Sequence, residues 1–165
     1  MPDSIQSRPS PIYLNYMDSI QQSKKKYAAM LEPLCRRYDL TRNELDIMLF
    51  LANNPGFDRA ADIVSIRRIA KSHVSLSVGN LEKRGLLVRE LEEGDRRTAH
   101  LKLTDSAHSI IRAGQHLQKQ FYTRMFAGLT KQELDQWGIV LAKICGNIEH
   151  LDVESEPFHT EGSNG

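Results

Sequence analysis

A mostly helical chain carrying one small β-hairpin is the fold class the sequence predicts, and three observations predict it. Apolar residues recur three, four or seven apart over most of the chain, the spacing of one helical face. Two boxes of the Thr-x-x-Glu type, Thr41 to Glu44 and Thr130 to Glu133, mark helix starts. Only residues 86–103 show the period-two alternation of paired strands, around a tip formed by Glu92, Glu93, Gly94 and Asp95.

The elements follow in order. Pro2, Pro9 and Pro11 among small polar residues read as an extended arm over residues 1–15. Ile20, Tyr27, Ala28, Leu31, Leu34 and Tyr38 give a long amphipathic helix from about Met17 to Tyr38, with a kink or restart expected at Pro33 because proline lacks the N–H and clashes one turn back. Thr41 and Glu44 open a second helix over the run Leu45 to Ala52, which Asn53, Asn54, Pro55 and Gly56 stop. Asp58 is the expected cap of a short third helix holding Ala61, Ile63 and Val64. A fourth runs from about Lys71 to Arg84, with Gly85 just past its end. Strands at Leu86 to Leu91 and Arg96 to Leu103 form the hairpin. Thr104 and Asp105 open a fifth helix whose face includes Ile110, Gly114, Leu117, Phe121 and Met125. Leu134, Trp137, Leu141, Ile144, Ile148 and Leu151 stripe a sixth, and the acidic end after Asp152 reads as loose.

Composition excludes several classes. At 165 residues, 40% hydrophobic and 26% charged, the chain is an ordinary folded unit, not a disordered or collagenous one. No stretch approaches the roughly 18 apolar residues of a membrane span, and the N-terminus lacks a basic start followed by an apolar core. Cys35 and Cys145 lie far apart, which argues against a disulfide scaffold or a thiolate zinc site and favours a reducing cytoplasm.

The net charge of +1 conceals an uneven distribution. Residues 59–103 hold ten Lys or Arg against six Asp or Glu, whereas residues 104–165 hold five against eight. The cationic excess coincides with the short helix, the turn, the fourth helix and the hairpin. That order of elements is a winged helix-turn-helix. The fourth helix carries a narrow apolar stripe, Val74, Val78 and Leu81, for packing. Its other face presents Ser72, Leu76, Gly79 and Lys83, flanked by His73, Ser75 and Asn80, small and polar enough for a major groove about 12 Å wide. The plainer alternative is a surface helix on which Leu76 happens to be exposed.

Over about residues 17–151 the chain resembles the MarR family of bacterial transcriptional regulators. The resemblance is carried by Leu40 and Thr41, Ala61 to Val64, Lys71 to Ser75, the run Leu81-Glu-Lys-Arg-Gly-Leu-Leu-Val-Arg89, and the wing Asp95-Arg-Arg97 leading to Leu101-Lys-Leu-Thr104. It implies a homodimer held by the N- and C-terminal helices, 16–40 and 104–151, around DNA-binding lobes formed by 41–103. Each recognition helix would enter a major groove of a pseudo-palindromic operator in double-stranded DNA. It further implies a repressor or other regulator released or modulated by a small aromatic or phenolic effector; no cofactor and no membrane partner are expected. On this reading Lys71, Ser72, His73, Ser75 and Leu76 face bases, Arg96 or Arg97 enters the minor groove with Asp95 orienting one guanidinium, and Lys83, Arg67 and Arg68 meet phosphates. Tyr27, Met30 and Trp137 are candidate effector-pocket residues, although such side chains are more often core.

Three departures from the family stand out. Leu76 occupies a position where many members carry arginine, Arg68 one where they carry glycine, and Ala70 a frequent serine cap, whose loss costs about 1 kcal/mol unless Ser72 replaces it.

The same residues admit other readings. His108 and His116 lie eight apart on one helix, about 12 Å along its axis, too far to share an ion without other ligands. A thiol-based redox sensor would use Cys35. A winged-helix protein-interaction module would not bind DNA at all. No nucleophile elbow, zinc-protease box, phosphate loop or dinucleotide fingerprint is present, so no catalytic residue is assigned.

Overall fold

The computed structural model of the chain describes residues 11–92 and 95–151, with side chains described for 14–91 and 99–151. Its elements are α1 (Pro11–Tyr38), α2 (Arg42–Asn53), α3 (Ala60–Arg67), α4 (Lys71–Lys83), β1 (Leu87–Glu92), β2 (Asp95–Leu103), a 3-10 turn (Asp105–Ala107), α5 (His108–Met125) and α6 (Lys131–Glu149). The fold is mostly helical with a two-stranded antiparallel hairpin, as the sequence predicts. The chain divides into two compact units, Met1–Met125 and Phe126–Gly165.

In the first unit α1 begins at Pro11, earlier than the spacing predicts. Proline suits a first helical turn, where its missing N–H needs no partner. No restart occurs at Pro33, and the helix continues through it. Ala29, whose carbonyl loses its partner there, is exposed, so water can satisfy it. Expected residues 1–10 of the arm and 152–165 of the tail lie outside the described residues.

Helix α2 starts as the capping box requires, with the Thr41 hydroxyl accepting from Glu44 N at 3.2 Å and Glu44 Oε2 accepting from Thr41 N at 2.8 Å. It forms the centre of the unit, packed on α1, α4 and α5. Leu45, Ile47, Met48 and Leu49 are almost wholly buried, and Leu31, Ile63, Val74, Val78, Leu81, Leu87, Leu101 and Ile110 complete the core around them. Each such side chain removed from water contributes about 1.5–3 kcal/mol. On α5, Gly114 sits against this centre: a Cβ there would lie 2.7 Å from Leu49 Cδ2.

The hairpin pairs Leu87 with Leu103, Arg89 with Leu101 and Leu91 with Ala99, with a register shift at Leu91/Glu92. Leu87 and Leu101 face the core. Asp58 does not cap α3 as expected. Its carbonyl accepts from Leu101 N at 2.7 Å and its carboxylate meets His100 Nδ1 at 2.7 Å, so it fastens β2 to the start of α3. The cap position passes to Arg59, whose N–H is accepted by Asp62 Oδ2 at 3.0 Å.

In the second unit the Thr130 box opens α6, with Glu133 Oε2 accepting from Thr130 N at 2.7 Å. These bonds hold the Glu133 carboxyl below its usual range. The Phe126 and Trp137 rings pack 5.4 Å apart. The predicted stripe is only half-covered at Leu134, Leu141 and Ile144 and open at Trp137, Ile148 and Leu151, with Ile139 and Val140 also exposed.

Candidate nucleic-acid interface

The turn between α3 and α4 is built on an unusual residue. Arg68 ends α3 at φ 51° and ψ 38°, the left-handed region that glycine enters freely and other residues enter at a cost. Ile69 follows, half-buried, and Ala70 starts α4 without any side-chain cap. Ser72 does not take over that role, so the start of α4 relies on backbone bonds from His73 N and Val74 N to the Ala70 carbonyl.

Helix α4 divides into two faces. Val74, Ser77, Val78 and Leu81 are buried, whereas Lys71, Ser72, His73, Ser75, Leu76 and Lys83 are exposed. Leu76 is 64% exposed, a large apolar side chain standing among small polar ones. At Gly79 a Cβ would meet nothing within 4 Å, so the outer surface is shallow there. Asn80, expected on the outer flank, turns inward instead: its Nδ2 donates to Glu44 Oε1 at 3.0 Å. Glu44 is 3% exposed, and a buried carboxylate needs such donors to offset its lost hydration.

The remaining predicted cations fall in different places. Arg68 is exposed at the turn. Arg67, also exposed, lines a cavity of about 200 Å³ with Tyr27, Asp46, Asn53 and Gln118. The backbone of Asp95, Arg96 and Arg97 belongs to β2 at the hairpin tip, but their side chains lie outside the described residues. Arg89 is committed to an ion pair, its Nε 3.0 Å from Glu82 Oε2, which ties β1 to α4.

Met30 lines a cleft of about 640 Å³ with Ser19, Lys26, Phe121 and Arg124, while Tyr27 lines the smaller cavity and Trp137 belongs to the second unit. Burial raises the Tyr27 hydroxyl pKa, and that hydroxyl accepts from Gln118 Nε2 at 2.8 Å. Cys35 is buried, and burial pushes its thiol above the ordinary value, whereas Cys145 is exposed. His108 faces Asp105 and His116 faces Gln120; among the described residues no group of three metal-ligating side chains occurs.

Sequence reasoning missed the roles of two residues that hold this surface, Glu44 and Asn80. Glu44 was legible only as half of a capping box. The signal that could have found its second role is the free carboxylate oxygen left on a helix buried on nearly every face.

Residues 38–98 match the sequence model of the MarR family. The chain is 28% identical over 104 residues to YkoM, an uncharacterised HTH-type transcriptional regulator of Bacillus subtilis, covering 63% of this chain and 68% of the relative. A MarR-family regulator from Listeria monocytogenes, solved in complex with a 26mer DNA, superimposes with a TM-score of 0.70 at 17% identity, over 80% of this chain and 87% of that one. CouR from Rhodococcus jostii, solved with p-coumaroyl-CoA bound, gives 0.66 at 18% identity over 84% and 94%. At these identities the structural likeness is one of fold.

Proposed function

We propose that this chain is a MarR-type DNA-binding transcriptional regulator that acts as a dimer on a two-fold operator and is modulated by a small ligand. The observation that carries the reading is the outer face of α4: Ser72, His73, Ser75 and Leu76 exposed beside a tight turn and a two-stranded hairpin. Short polar side chains allow the helix to approach base edges, and Leu76 offers an apolar contact for a thymine methyl. Lys71, Lys83, Arg67 and Arg68 are the phosphate contacts of this reading, and Arg96 or Arg97 at the hairpin tip, with Asp95 orienting one of them, reaches the minor groove.

Dimerisation is supported by apolar side chains on and just beyond α6: Trp137, Ile139, Val140 and Ile148, with Leu151 past the helix end, are all at least half exposed. Large apolar side chains left exposed in such number are the material of a protein interface. Modulation by a ligand is supported by the cleft beside Met30 and Phe121, lined by the cations Lys26 and Arg124, which suit an aromatic anion. The reading is of a regulator without catalytic chemistry, working in the cytoplasm. Among the described residues no helix is long and apolar enough to cross a membrane.

The test is selection of duplexes from a random library by the full chain, followed by sedimentation of the complex. Two chains per selected duplex, with a two-fold consensus, are expected. A consensus without symmetry at one chain per duplex contradicts the dimeric reading, and no enrichment at all contradicts DNA recognition and favours the protein-interaction module.

A further inference from the structure

Helix α4 is held by polar contacts at two successive turns. At the first, Asn80 reaches Glu44 at the start of α2. At the second, Arg84 reaches the end of α1: its Nη1 donates to the Asp39 carbonyl at 2.6 Å and its Nη2 to the Tyr38 carbonyl at 2.5 Å. Both helix ends so joined are tightly turned. Asp39 takes φ 51° with Leu40 N donating to the Cys35 carbonyl at 2.9 Å, and Gly85 takes φ 67° with Leu86 N donating to the Leu81 carbonyl at 3.0 Å. The last carbonyls of a helix lack partners of its own and carry its negative pole, so a guanidinium across two of them makes charge-assisted bonds in a fixed fork.

We propose that Arg84 is a positioning residue for DNA recognition, fixing the attitude of α4 to the C-terminal end of α1 so that the placement of α1 sets the spacing of the two reading heads. A cation at the end of a recognition helix would ordinarily be counted among the phosphate contacts. Here both terminal nitrogens are turned onto backbone carbonyls, that of Tyr38 at the end of α1 and that of Asp39 just after it. The adjoining attachments make the coupling stiff: Asn80 holds the preceding turn of α4, and Thr104 Oγ1 donates to the Gly85 carbonyl at 2.6 Å immediately after it. A displacement of α1 therefore reaches α4 through Arg84 without passing through the apolar core. The inference rests on the proposed dimer, in which α1 belongs to the part joining the two copies.

The experiment compares wild type, Arg84→Met and Arg84→Lys on a duplex selected by the wild-type chain, on versions with the half-sites moved by one base pair, and across a salt series. Arg84→Met removes both donors and keeps the stem; Arg84→Lys keeps the charge but cannot form the fork. Both are expected to lose roughly tenfold on the selected duplex, the worth of about one charge-assisted bond. Both should also discriminate less between the correct and shifted spacings, with the slope of affinity against salt unchanged. Hydrogen exchange at residues 38–41 and 81–87, measured without DNA, should accelerate in both variants. A slope reduced by about one for Arg84→Met, with full recovery in Arg84→Lys, would make Arg84 a phosphate contact and overturn the proposal. Unchanged affinity, spacing preference and exchange in both variants would overturn it equally. Should Arg84→Met fail to fold, Arg84→Lys decides by the same readouts. Failure of the wild-type chain to select any duplex would instead defeat the underlying regulator reading, a result visible before either variant is made.

Discussion

Arg68 holds a left-handed backbone in the turn that aims α4, and this is a position the family resemblance marks as glycine. The turn geometry is therefore kept at the expense of local strain, while a cation is gained at the mouth of the candidate interface. Arg68→Gly should raise stability by about 0.5–1 kcal/mol in chemical denaturation, the relief of strain being partly offset by a looser unfolded chain. If Arg68 meets a phosphate, the same change lowers the salt slope of DNA binding by about one. A destabilised variant would mean that Arg68 is held by contacts that repay the strain. Cys35 shows the opposite kind of residue effect. Burial raises its thiol, so it remains protonated near neutrality, and its contribution to stability, present below the ordinary value of about 8.5, is lost as pH rises through the raised one. Peptide mapping after a thiol reagent at pH 7 should find Cys35 unmodified until denaturant is added. Rapid modification in the native chain would revive the redox-sensor reading. At this scale the sequence exposed the anomaly at Arg68 and the apolar outlier Leu76, but not the partners of Asn80 or Arg84. Those partners, Glu44, Tyr38 and Asp39, lie about 36 to 46 residues away along the chain, and local spacing carries no information about them.

Elements with strong end signals were the legible ones. The boxes at Thr41 and Thr130 both form, because each satisfies two backbone donors with residues three apart, and no tertiary partner is needed. The α1 start and the α3 cap were not legible. Pro11 serves either an arm or a first turn, and Asp58 is drawn from its local capping role by His100 and Leu101 on the hairpin. Packing between elements is close where Gly114 of α5 faces Leu49 of α2. Leu49 is buried, so its methyl group cannot swing away from a new Cβ. Gly114→Ala should therefore cost about 1–3 kcal/mol by overpacking despite alanine's better helix propensity, read as a lower denaturation midpoint with an unchanged slope. A stabilised variant would show that α5 can shift outward without loss.

At the scale of the whole molecule, nearly neutral net charge and a local cationic lobe act together. The chain has little general attraction for polyanions, so on the proposed reading selectivity comes from the α4 face and from the pairing of two lobes on one duplex. The architecture was legible in the order of elements; the coupling between α1 and α4 was not, because it depends on how distant helix ends meet. The central claim is that α4 reads bases through Leu76 and its small neighbours. Fluorescence-anisotropy titration of wild type and Leu76→Ala against the selected duplex and a scrambled one, over a salt series, tests it most directly. The account predicts salt-dependent binding that favours the selected duplex, with Leu76→Ala losing about tenfold of that preference while its binding to scrambled DNA and its salt slope are unchanged. Equal losses on both duplexes, or no preference in the wild type, would contradict it.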